Sequence, residues 1–289
     1  MQEVEIHGIH TALVTPFAAD GSVDLDSFAK LCERQVDAGI HGLVACGTTG
    51  EAATLTRDEW ADVIRCAVEV ADGRVPVTAG VGTNNTASTI DNIRRARQLG
   101  ADAALLVFPY YNKPNPGGLR GHVSAALEQG MPTVLYHVPG RTAQQVDVGL
   151  LAEMTHLPGV VAVKEATGDL RYGGDLIRRT SRPVLSGDDF SWLGLMAQGG
   201  AGCVSVISNV APAHTVAIYE AMSEGRIDDA RRGFAALWDL ATFLFSDTNP
   251  VPAKACLAEL GLARAEPRLP LAPWTGASPR ALLGELGLC

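Results

Sequence analysis

Eight short apolar runs with almost no polar alternation recur along the chain, at residues 9–14, 42–45, 75–79, 103–108, 133–136, 160–164, 184–186 and 202–206. Strands that are apolar on both faces belong in a parallel sheet covered by helices. The stretches between them have helical spacing. Leu25, Phe28, Leu31 and Cys32 form one stripe, Thr56 and Glu59 have the spacing of a capping box, and Trp60, Val63, Ile64 and Ala67 follow at helical intervals. Thr86 is placed to cap a helix that turns Ile90, Ile93 and Leu99 inward and stops at Gly100. Gly199 and Gly200 close a segment whose helical start is read at Asp188 and Asp189. Eight strand–helix repeats predict a TIM (β/α)8 barrel, of class α/β, in preference to a doubly wound sheet. The barrel is expected over residues 1–225. Residues 226–289 hold three further helical stretches and no strand, and are read as a C-terminal helical appendage packed on the barrel.

At 289 residues and 47% hydrophobic, the chain can bury one large core and does not have the composition of a disordered segment. Its formal charge is −9 and it has no basic run, which excludes the phosphate-neutralising surface of a nucleic-acid-binding protein. A small anionic substrate remains compatible, provided one or two cations sit inside its pocket. Cysteines 32, 46, 66, 203, 256 and 289 show neither C-x-x-C spacing nor paired histidines, as expected of reduced core residues in a cytoplasmic protein. The first five residues are acidic where a signal peptide would be basic and then apolar, and no apolar stretch approaches the roughly 20 residues of a membrane span. The expected partners are therefore small molecules, with no nucleic acid and no membrane.

In such a barrel, chemistry sits on the loops that follow the strands. Those positions collect most of the unusual residues: Gly47-Thr48-Thr49-Gly50-Glu51, Pro109-Tyr110-Tyr111-Asn112-Lys113-Pro114, Tyr136 through Thr142, Lys164-Glu165-Ala166-Thr167-Gly168, and Ser186-Gly187-Asp188-Asp189. Lys164 is the most informative. It ends an apolar strand, and alternation places it on the same face as Val160 and Ala162, with Glu165 turned toward the helices. Apolar surroundings disfavour an ammonium against the neutral amine, which is the form that attacks a carbonyl to give a Schiff base. Tyr136 ends the neighbouring strand, so its phenol is a candidate to deliver and remove protons, with Thr48 and Tyr111 as relay members. The Gly47–Gly50 turn brings backbone N–H groups and threonine hydroxyls to a carboxylate. It lacks the lysine of a P-loop. Arg141 is placed to clamp a second carboxylate. Asp188, Asp189 and the histidines lack metal-ligand spacing, so no metal and no cofactor are expected.

These residues, together with Thr15-Pro16-Phe17 and Asn249-Pro250-Val251-Pro252-Ala253-Lys254, occur in an order that resembles the dihydrodipicolinate synthase family within the N-acetylneuraminate lyase superfamily. The resemblance covers almost the whole chain. It implies a Schiff base between Lys164 and pyruvate, and a proton relay of Tyr136, Thr48 and Tyr111, the last serving a neighbouring subunit. It further implies that Thr48 and Thr49 hold the pyruvate carboxylate, that Gly187 and Val204 line the pocket through their backbones, and that Arg141 binds the carboxylate of aspartate semialdehyde. The implied product belongs to the diaminopimelate and lysine pathway, and the implied assembly is a homotetramer built from two tight dimers. Arg141 resembles the synthases and not the sialic-acid lyases.

The chain also departs from the family pattern. His137 stands where the synthases usually have Asn, which leaves open another pyruvate-dependent aldolase or dehydratase acting on a 2-keto-3-deoxy sugar acid or a hydroxy-oxo acid. A non-catalytic sensor of 2-oxo acids is a further alternative, against which Lys164, Tyr136 and Thr48 together argue. Asn84 and Tyr110 match the family's lysine-binding pocket. Ser88, Arg57 and Trp60 replace its usual Glu and two His. Without that carboxylate, weak or absent lysine inhibition is expected.

Overall fold

The computed structural model describes residues 4–289, so three of the five residues read as an acidic start lie outside it. Eight parallel strands close into a barrel in chain order. They are β1 (Gly8–Ala12), β2 (Gly42–Ala45), β3 (Val77–Gly80), β4 (Ala103–Val107), β5 (Thr133–His137), β6 (Val160–Glu165), β7 (Val184–Ser186) and β8 (Gly202–Ser205). The helices between and around them are α1 (Leu25–Asp37), α2 (Arg57–Ala71), α3 (Thr86–Gln98), α4 (Pro116–Leu127), α5 (Pro139–Thr142), α6 (Val148–Thr155), α7 (Leu170–Arg179), α8 (Trp192–Met196) and α9 (Pro212–Ser223). Then come α10 (Ile227–Ala236), α11 (Trp238–Leu244), α12 (Val251–Glu259) and α13 (Arg280–Glu285), four helices where the sequence predicted three. Among the described residues no helix is long and apolar enough to cross a membrane.

The apolar residues form two layers, as strand alternation demands. Ala12, Val44, Leu105, Val134, Tyr136, Ala162, Leu185 and Val204 fill the barrel interior. A larger cluster, including Ile9, Leu43, Ile64, Ile93, Leu135, Val163 and Leu176, packs the outer face of the strands against the helices. β6 breaks the alternation. Thr133 pairs with Val160 but Val134 pairs with Ala162, so β6 carries one extra residue. This bulge turns Val160 into the outer layer, while Val161 and Ala162 pack on the inner one. The expectation that Val160 shares the face of Lys164 is therefore corrected; Ala162 does share it.

Local chemistry explains the other differences. Proline has no N–H to donate to a ladder, so β3 starts at Val77, after Pro76, instead of at Val75. α2 has the expected capping box between Thr56 and Glu59. α3 is capped by Asn85 and not by Thr86: the Asn85 side chain accepts from the N–H groups of Ala87 and Ser88, and the Thr86 hydroxyl meets His122 Nδ1 at 2.9 Å. The face α3 buries is Thr89, Ile93 and Ala96, with Ile90 and Leu99 half-buried beside it.

Candidate active site

The loops after the strands open onto one cavity of about 390 Å3, whose walls include Thr48, Trp60, Tyr110, Tyr136, Arg141 and Asn249. Backbone strain concentrates in the same loops. Cys46 and Glu51 after β2, Tyr111 and Lys113 after β4, and Ala143 after α5 all take positive φ without being glycine, a conformation that costs energy and collects at functional sites.

Tyr136 and Lys164 are partners in the β5–β6 ladder, so both project to the same side of the barrel wall. Lys164 is 6% exposed, and its Nζ lies 4.2 Å from the centroid of the Tyr136 ring. Gly187 presses on the lysine stem: a Cβ added there would fall 2.7 Å from Lys164 Cε. Val204, buried on β8, packs in the same interior layer as Tyr136. Tyr136 forms part of the cavity wall, whereas Lys164, Gly187 and Val204 lie in the barrel beside it. Tyr111 is 88% exposed and lines no part of the cavity within a single chain.

The Gly47–Gly50 loop folds on itself, with the Gly50 N–H donating to the Gly47 carbonyl and the Glu51 N–H to the Thr48 carbonyl, each at 3.1 Å. Thr15 donates to the Gly50 carbonyl at 2.8 Å. Thr48 is exposed to the cavity, and Thr49 is buried. The Thr49 hydroxyl accepts from Asn249 Nδ2 at 2.8 Å. Arg141, on the single-turn helix α5, donates to the Asn249 carbonyl at 3.1 Å and pairs with no carboxylate among the described residues. Its remaining donors are available to an anion at the cavity mouth.

The profile of the Dihydrodipicolinate synthetase family matches residues 5–282. The chain belongs to that family. It is 46% identical to the 4-hydroxy-tetrahydrodipicolinate synthase of Nitratidesulfovibrio vulgaris, over 96% of this chain and 97% of the relative. It is 44% identical to that of Methanoculleus marisnigri, over 91% and 92% respectively. The solved dihydrodipicolinate synthase of Thermotoga maritima superposes with a TM-score of 0.96 at 37% identity, over 98% of this chain and 99% of the other. The Acinetobacter baumannii enzyme, solved in complex with pyruvate, gives 0.95 at 38%, over 98% and 100%.

In this dihydrodipicolinate synthetase family member, sequence reasoning gave no functional role to four residues with tertiary partners: Glu51 and Asn249 line the cavity, whereas Lys254 and Asp189 are buried outside its lining. Glu51 and Lys254 form an ion pair at 2.5 Å, with side-chain exposures of 2% and 0%. Burial pushes the Lys254 ammonium below the usual lysine range, against the opposing pull of Glu51. Asn249 joins Thr49 to Arg141, as described. Asp189 corrects the expectation of a helix start. Its buried carboxylate accepts from the Ser205 hydroxyl at 2.6 Å and the Val206 N–H at 2.7 Å, tying the β7 loop to the end of β8. Only Asp188 caps the local turn, through the Ser191 N–H. Burial raises the Asp189 carboxyl to about 6. The one signal available in advance was residue type, since a Lys inside an otherwise apolar helix and a doubled Asp are both costly to bury unpaired.

On the other side of β6 from Lys164, Glu165 turns toward α7, the helix side expected of it. Its Oε1 accepts from the Thr167 N–H at 2.7 Å, and burial raises its carboxyl. His137 is fully buried between Phe108 and Tyr172, neither ring nitrogen has a hydrogen-bond partner, and burial lowers it to about 4. Among the described residues no group of three His, Cys, Asp or Glu side chains converges as metal ligands.

Proposed function

We infer that this protein is a carbon–oxygen lyase that condenses pyruvate with L-aspartate 4-semialdehyde to give 4-hydroxy-tetrahydrodipicolinate, a step of lysine and diaminopimelate biosynthesis. The observation that carries this reading is the buried Lys164 amine against the Tyr136 ring, at the edge of a cavity walled by Thr48 and Arg141.

The chemistry follows from the residue types. The Lys164 amine adds to the C2 carbonyl of pyruvate, the carbinolamine loses water, and a covalent imine forms without an external cofactor. Tyr136 supplies and takes back the protons, with Thr48 and a neighbouring subunit's Tyr111 as relay members. Thr48 and Thr49 hold the pyruvate carboxylate, and Gly187 and Val204 bound the pyruvate pocket. Loss of a C3 proton gives the enamine, which attacks the aldehyde carbon while Arg141 holds the semialdehyde carboxylate. The substrate amine then displaces Lys164 from the imine carbon, and the ring closes. One water leaves overall, and the lysine is regenerated.

The assembly is proposed to be a homotetramer built as a dimer of dimers, and the 88% exposure of Tyr111 supports a neighbouring subunit beside it. Sedimentation velocity should give a tetramer; a monomer at working concentration would remove Tyr111 from the relay. Residues 226–289 are proposed to be an integral appendage of the barrel over 1–225. The six free thiols fit the reducing cytoplasm.

The deciding experiment is borohydride reduction with pyruvate, followed by peptide mass spectrometry. A pyruvate-derived adduct is expected on Lys164 and absent in Lys164→Ala. A coupled assay should show turnover with aspartate semialdehyde and none with N-acetylneuraminate or a 2-keto-3-deoxy sugar acid. Turnover of a sugar acid alone would replace the synthase reading with that of another aldolase.

A further inference from the structure

Glu51 closes the loop expected to hold the pyruvate carboxylate, and it does so in a left-handed conformation, φ 51°. Glu51 lines the cavity beside Thr48, and its side chain is only 2% exposed. Both carboxylate oxygens are taken: Oε1 meets Lys254 Nζ at 2.5 Å, and Oε2 accepts the Arg268 N–H at 2.8 Å. Lys254 comes from α12 and Arg268 from the segment after it. The Lys254 ammonium also reaches the Glu266 carbonyl at 3.3 Å and lies 4.0 Å from the centroid of the Phe17 ring. The Arg268 guanidinium lies over the same ring at 4.4 Å and pairs with Glu59 of the α2 capping box. One residue before α12's opening Pro250-Val251, Asn249 donates to Thr49 from 200 positions away and receives Arg141 on its carbonyl.

An exposed ion pair holds little in place. A dry one is different, because moving either partner strands a charge in a low dielectric, so the geometry is enforced. Packing alone could be supplied by two apolar side chains; what the charges add is a fixed direction. Glu51 is held on both oxygens and is therefore not a free acid or base for the reaction.

We propose that the C-terminal appendage positions the pyruvate-carboxylate loop, through the buried Glu51–Lys254 pair and the Asn249–Thr49 hydrogen bond. Glu51, Lys254 and Asn249 are positioning residues, acting through Thr48 and Thr49. The loop's orientation toward Lys164 is then set by a segment about 200 residues downstream, and the barrel without its appendage holds Lys164 but not a formed carboxylate site. This rests on the reading of the Gly47–Gly50 loop as the pyruvate-carboxylate cradle.

Two full-length variants test it. Glu51→Gln combined with Lys254→Met removes both charges together, leaving none stranded, and Asn249→Ala cuts the second tie without touching a charge. Circular dichroism and thermal melting establish that each folds. The expected result is a pyruvate KM raised at least tenfold, with the same shift in the pyruvate concentration that half-saturates borohydride trapping. A merely structural role would lower the melting temperature and leave the half-saturating concentration where it was. Wild-type half-saturation in either folded variant overturns the proposal, and if the double variant does not fold, Asn249→Ala decides alone. If the parent protein itself traps no pyruvate, the Schiff-base reading fails and this proposal with it, an outcome distinct from a parent that traps and variants that trap equally well.

Discussion

Lys164 Nζ lies over the face of the Tyr136 ring, 4.2 Å from its centroid, and the two residues are direct partners in the β5–β6 ladder. The contact is made by the ring and not by a lone phenol oxygen, so the tyrosine both shelters the lysine side chain and carries its hydroxyl on a rigid support. Because neighbouring parallel strands project paired residues to the same side, the relationship is built into the barrel wall and needs no loop to maintain it.

Tyr136→Phe keeps the ring and removes only the hydroxyl. We expect kcat to fall by about 10²- to 10⁴-fold, the range for a lost general acid–base group, with the thermal transition little changed. A kcat within threefold of the parent would remove Tyr136 from proton transfer.

Gly187→Ala tests how tightly the lysine is seated. The new methyl would meet Lys164 Cε at 2.7 Å and Ala166 Cβ at 2.7 Å, too close for real contacts, and the flexible lysine is the group that gives way. A displacement of the amine by a fraction of an ångström should lower kcat by about tenfold or more. Unchanged kinetics would mean that the space around Lys164 is larger than the packing implies.

Arg141→Ala should raise the KM for aspartate semialdehyde by about 10- to 100-fold, the loss of a charge-assisted hydrogen-bond pair. Borohydride trapping with pyruvate alone should proceed as in the parent. Impaired trapping would place Arg141 on the wrong substrate.

Stability should decline as pH falls from about 6.5 to 4. His10 and His137 are both buried and both lowered to about 4, so on acidification the unfolded chain takes up these protons first. Their contribution is present above pH 6.5 and lost as pH falls through the folded values, at most about 3 kcal/mol for each. Asp189 acts in the opposite sense, because its carboxyl is raised to about 6 and its protonation below that value relieves a buried charge. Urea midpoints measured from pH 7.5 to 4.5 should show a smaller slope in His137→Asn. An identical slope would mean that His137 is not the responsible group.

Lysine should inhibit weakly or not at all. Trp60 is 7% exposed, with its indole N–H donating to the Gly80 carbonyl at 3.0 Å, and Ser88 offers no carboxylate to an ammonium group. Sub-millimolar inhibition by lysine in the coupled assay would overturn this.

All eight strands were legible because each is a short, mainly apolar run without clean polar alternation, the pattern of a parallel sheet covered by helices. The convergence of Thr48, Tyr136 and Arg141 on one cavity, with Lys164 beside Tyr136, was legible because a strand's end is a defined place in such a barrel. The face of Val160 was not, since a single inserted residue in β6 leaves no local trace and shows only when Thr133 and Val134 are paired with their partners. Asn85 and Thr86 are both competent caps, and the Thr86 hydroxyl is instead engaged by His122 of α4.

Hydrophobic periodicity alone was enough for the barrel class, and residue chemistry singled out Lys164 as the candidate amine. They act over a few residues and are written into the chain wherever they act. The pairing of Glu51 with Lys254, of Thr49 with Asn249 and of Asp189 with the end of β8 was decided by tertiary structure only. Each joins groups on different segments that only the closed barrel brings together, and each is stable because barrel closure removes the water that would otherwise satisfy them separately.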